Sequence, residues 1–171
     1  MISLLAAILL QTSPSLPPLP QGWSERELFA LKGGRGGFGF ADRLEARFWR
    51  RSPYPAARGA PAAYWVAHVV RRHDGLPGQT DQSFDAWLDE SDCPQLRRAV
   101  ERIAAFRPPP PYASDSQEQG LVIGAHGTNY TLTTWGGRDA IHQAQVTTFD
   151  PNGGLLGDLT SAIQDDLLAC L

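Results

Sequence analysis

KGGRGGFGF occupies residues 32–40, between SERELFAL (24–31) and ADRLEARFWRR (41–51). Within it, Gly34, Gly36 and Gly39 spell a literal G-x-G-x-x-G. A dinucleotide-binding loop must follow a strand and open a helix, because the phosphate rests on the helix N-terminus. The flanks predict the reverse order. Ser24 can cap a short helix, Glu25 and Glu27 suit its positive end, and Gly33 can stop it. No G-K-[ST] completes a phosphate loop, and Lys32 precedes the glycines instead of following on a later strand. The glycines therefore read as a turn into a sheet, and no cofactor is expected.

Downstream, Phe38, Phe40, Leu44, Ala46 and Phe48 take even positions, while Arg43, Glu45, Arg47 and Arg51 take odd ones. That alternation predicts a half-buried strand. Asp42 and Trp49 break the pattern, and a helix over 41–51 is the competing reading. AAYWVAHVVRR (62–72) is a clearer strand, and a short helix is expected around Phe84 to Leu88. In CPQLRRAVERIAAF (93–106), Asp92 or Cys93 can cap a helix whose apolar face is Leu96, Val100, Ile103 and Phe106. The proline run 108–111 ends that helix. GLVIGAH, NYTLTTW and AIHQAQVTTF then read as a meander, and DLTSAIQDDLLACL as a last helix. The order predicts an α+β domain over 23–171, with about five mostly antiparallel strands and two principal helices packed on one face.

Charge is unevenly spread. Residues 23–73 carry ten basic and four acidic groups, whereas 74–171 carry five basic and fourteen acidic. The net charge of −3 offers no basic excess of the kind nucleic acid requires. The two halves can instead attract each other or steer a charged partner. Arg50-Arg51 and Arg71-Arg72 end two candidate strands, and antiparallel pairing would keep the four from forming one patch.

MISLLAAILLQTSPS opens the chain with nine apolar residues from Ile2 to Leu10, the length of a signal-peptide core and too short to span a bilayer. Residues 1–15 are accordingly expected to be a signal peptide, and the proline-rich 16–22 an extended linker. An exported chain with two cysteines, Cys93 and Cys170, and no C-x-x-C suggests one disulfide and no zinc site.

No local catalytic constellation is present. His68 and His73, five residues apart, fall on opposite faces of a strand. His126 and His142 belong to opposite ends of the meander, and Asp139 could share a hydrogen bond with His142. These four, His68, His126, His142 and Asp139, are the candidate catalytic residues of a site assembled across elements. Asp89, Glu90 and Asp92 lack the spacing of a calcium loop, and no metal is expected.

WLDESDCPQLRRAVERI, NYTLTTW and the terminal helix ending in Cys resemble small exported proteins of alphaproteobacteria whose function is uncharacterised. The likeness covers about 85–171 and rests on Trp87, Cys93, Pro94, Tyr130, Leu132 and Cys170. It implies a periplasmic or secreted location and a disulfide joining the two principal helices, but no chemistry. The sequence thus points to a non-catalytic binding or interaction module of the cell envelope, its partner an envelope protein or a small ligand. A small envelope hydrolase is the alternative.

Overall fold

The computed structural model describes residues 15–37, 40–54, 59, 61–74, 82–107, 127–136, 142–150 and 154–171. Among these residues, six antiparallel strands form one sheet in the order β4-β3-β2-β1-β5-β6. They are β1 (Trp23–Gly37), β2 (Phe40–Pro53), β3 (Tyr64–Asp74), β4 (Gln82–Asp89), β5 (Gly127–Gly136) and β6 (His142–Asp150). Helix α1 (Gln95–Ala105) connects β4 to β5, and α2 (Gly154–Leu168) follows β6. The first four strands form a meander. α1 then carries the chain back so that β5 adds beside β1, on its free edge. The fold is α+β, with both helices on one side of an antiparallel sheet.

Two expected helices are strands. The helix beginning at Ser24 is β1, because its residues pair with β2 on one side and β5 on the other. Phe29 and Leu31 face the helices, whereas Lys32 faces away, and a register shift between Glu27 and Phe29 adjusts the alternation. The helix expected around Phe84 to Leu88 is β4: Phe84 and Leu88 join the core while Asp85 and Trp87 point outward. The segment 41–51 is strand β2. Of the expected meander, 120–126 lies outside the described residues, while β5 and β6 pair as foreseen.

Helix α1 buries Leu96, Ala99, Val100 and Ile103. Its N-cap is Pro94, with no side-chain cap, so neither Asp92 nor Cys93 serves as foreseen. Asp89 instead ties the preceding turn, accepting from the Ser91 amide at 2.9 Å and its hydroxyl at 2.7 Å. Glu90 accepts from the Trp65 amide at 2.9 Å and pairs with Arg97. Both acidic residues are thus used structurally.

The core row Thr134–Phe29–Phe48–Ala67–Leu88 crosses five strands, with the fully buried Phe48 at its centre. A neighbouring row carries Leu132, Leu31, Ala46, Val69 and Ala86. Gly33 seats the Tyr130 ring: a Cβ there would lie 2.7 Å from Tyr130 Cδ1. From α2, Gly157 closes on the other side, where a Cβ would lie 3.0 Å from Cε2. The glycine-rich stretch therefore begins as a strand that lets helix and sheet approach around one aromatic ring.

A disulfide joins Cys93, just before α1, to Cys170, just after α2, with Cα atoms 5.5 Å apart. Arg102 Nε also donates to the largely buried Asp166 across the helix pair at 2.8 Å. No helix of the described residues is long and apolar enough to cross a membrane.

Candidate functional site

Among the described residues, α1 and α2 cover one face of the sheet, and side chains of the other face line an open concavity of about 1020 Å³. β2 contributes Arg43, Glu45, Arg47 and Trp49, all at odd positions on one side of the pleat. Trp49 therefore keeps the alternation it seemed to break: a large aromatic ring sits on the polar face. Opposite come His68 and Arg72 on β3 and Asp85 and Trp87 on β4.

Three rings form a contiguous aromatic floor. His68 and Trp87 are directly opposed in register and stack at 4.5 Å between centroids, with planes 25° apart. Trp87 meets Trp49 at 5.2 Å and 41°. The imidazole is oriented further by Asp85, whose Oδ1 lies 2.6 Å from His68 Nε2. Flat rings held by a sheet present apolar area whose ordering entropy is already spent.

Most charges here are neutralised within the face. Glu45 accepts from Arg47 Nε at 3.0 Å and lies 3.3 Å from Lys32 Nζ. Burial pushes the Glu45 carboxyl up, but its hydrogen bonds with Arg47 and Lys32 outweigh that and hold it below the ordinary value of 4.5. Stability from this cluster is accordingly present above that value and lost as pH falls through the lowered one. Arg43 and Arg72 differ. They are direct cross-strand partners, both line the concavity, and neither has a carboxylate partner among the described residues.

At the far end of this face, Arg51 is only 1 % exposed. It donates to Glu25 Oε2 at 2.5 Å, to the Pro17 carbonyl at 2.8 Å and to the Tyr64 hydroxyl at 3.4 Å. Burial opposes its charge, but the hydrogen bonds with Tyr64 and Glu25 prevail and raise its pKa. Arg71, on the helix side, forms a two-pronged pair with Asp42 at 3.2 Å. The four arginines of the two dipeptides therefore stay apart, as antiparallel pairing requires. The cationic pair that does form, Arg43 with Arg72, depends on strand register.

Of the sequence candidates, His68 is in the concavity. His73 lies on the opposite face, its Nδ1 3.8 Å from Asp42 Oδ2. His126 and Asp139 lie outside the described residues, as does the side chain of His142. His68 with Asp85 has the form of an oriented base. Among residues with described side chains, the serine and threonine positions of this face are Ser83 on β4 and Thr131 and Thr133 on β5. Register places each roughly 14–16 Å from His68. Both cysteines are in the disulfide. The described residues contain no group of three or more His, Cys, Asp or Glu that could hold a metal ion. Sequence reasoning missed Trp49, Trp87, Arg43 and Arg72; the aromatic residue among the polar positions of β2 was the available signal.

No protein-family model, no curated protein and no solved structure matches this chain.

Proposed function

We propose that the protein is a non-catalytic binding module of the cell envelope whose sheet face opposite α1 and α2 holds a small organic ligand. The observation carrying this reading is the concavity of about 1020 Å³ in which the Trp49–Trp87–His68 floor adjoins cationic side chains. That combination of apolar area with a few polar orienting groups is what ligand sites require. Among the described side chains, no serine, threonine or cysteine lies beside His68, and that supports binding over hydrolysis. Export rests on the apolar run Ile2–Leu10, and a disulfide suits an oxidising compartment.

A fluorescence titration with anilinonaphthalenesulfonate, a flat aromatic anion, tests the reading. The wild type is expected to bind saturably at one site, and Trp87→Ala to bind about tenfold more weakly. Leu155→Ala, at an exposed position on α2, should leave the titration unchanged. Unsaturable binding, or binding indifferent to Trp87→Ala, would count against the concave face.

A further inference from the structure

The concavity is asymmetric in charge, and that asymmetry specifies a ligand. Lys32, Glu45 and Arg47 form one cluster, and His68 pairs with Asp85. The remaining cations, Arg43 and Arg72, sit directly opposite each other on adjacent strands, where like charges repel. Gly34 and Ser83 flank them in register, so Gly34 interposes no side chain on the β1 side. A sheet has no structural need for two opposed arginines. What they supply is a pair of guanidinium forks aimed at the same volume, and each fork matches a phosphate or carboxylate edge.

A carboxylate, with one negative charge, leaves half of this pair uncompensated. A phosphate monoester carries about −1.5 to −2 at neutral pH and offers three acceptor oxygens, enough for both forks. Along β3, Arg72 is four residues from His68, or roughly 13 Å, a gap partly closed by the reach of the arginine side chain. We infer that Arg43 and Arg72 anchor a phosphate monoester whose flat organic remainder lies toward the His68–Trp87–Trp49 floor. This rests on reading the sheet face opposite α1 and α2 as a ligand surface and names the ligand class for it.

The test uses the full chain with three probes that share one ring: naphthyl phosphate, naphthyl sulfate and naphthol. Naphthyl phosphate is expected to bind roughly tenfold more tightly than the singly charged sulfate at neutral pH. That advantage should shrink below about pH 6, where the phosphate dianion takes up a proton and becomes singly charged. Arg43→Gln and Arg72→Gln should each weaken naphthyl phosphate by about tenfold and leave naphthol unchanged. Because each substitution removes a like-charge opposition, the unliganded variants should melt roughly 1–3 °C higher than the wild type. That rise also shows that they are folded.

Equal affinity for the phosphate and sulfate, or unchanged phosphate binding in both variants, overturns the phosphate anchor. If naphthol and the sulfate still bind and still depend on Trp87, the concave-face reading survives that result. Failure of all three probes to bind overturns both.

Discussion

Removing the Cys93–Cys170 bridge, by reduction or in Cys93→Ala/Cys170→Ala, is expected to cost roughly 4 kcal/mol and lower the melting temperature by about 8–16 °C. The two cysteines are 77 residues apart, so the crosslink removes a long loop from the freedom of the unfolded chain. In the folded state it joins the ends of α1 and α2, which already share the Arg102–Asp166 contact. That contact is the competing effect. If ion pairing and helix packing alone held the pair, reduction would move the melting temperature by no more than a degree or two. Protein isolated from its native host should carry the bridge, whereas two free thiols would remove a support for the proposed export.

The second large effect belongs to Phe48. It is fully buried between Phe29 on β1 and Ala67 on β3, in the row the helices cover. Phe48→Ala removes a whole ring from a site flanked on one side by a small residue, and is expected to destabilise the fold by about 3–5 kcal/mol. Thermal or denaturant unfolding measures this, and a loss below about 1 kcal/mol would show that the core collapses onto the vacancy. Its neighbours Arg47 and Trp49 point the other way, into the concavity. At temperatures where the variant stays folded, its affinity for anilinonaphthalenesulfonate should therefore match the wild type. Stability and binding are assigned to opposite faces of the same strand.

β2 shows how much of this was legible in the sequence. The polar positions 43, 45 and 47 and the apolar positions 44, 46 and 48 announce a two-sided strand, and both faces are used as the pattern implies. β1 was not legible because SERELFALK is composed of good helix formers, and its state is decided by pairing with β2 and β5, the latter about 100 residues away. β4 is short, and its apolar Phe84, Trp87 and Leu88 also suit a helical turn. Register then decides the site. Arg43 and Arg72 are 29 positions apart and become opposed only when β2 and β3 pair as they do. The stacking of His68 on Trp87 is hidden for the same reason. The α1 face was readable from its own spacing, because each turn of a helix reports its own periodicity.

The most direct measurement is an amide and indole NMR titration of the folded, disulfide-bonded chain with anilinonaphthalenesulfonate. The concave-face account predicts that the largest shifts fall on Lys32, Arg47, His68, Asp85 and Trp87 and on the indole N–H groups of Trp49 and Trp87, with α1 and α2 nearly unmoved. Shifts concentrated on the helices around Leu155, with the Trp49 and Trp87 indoles unchanged, would contradict it.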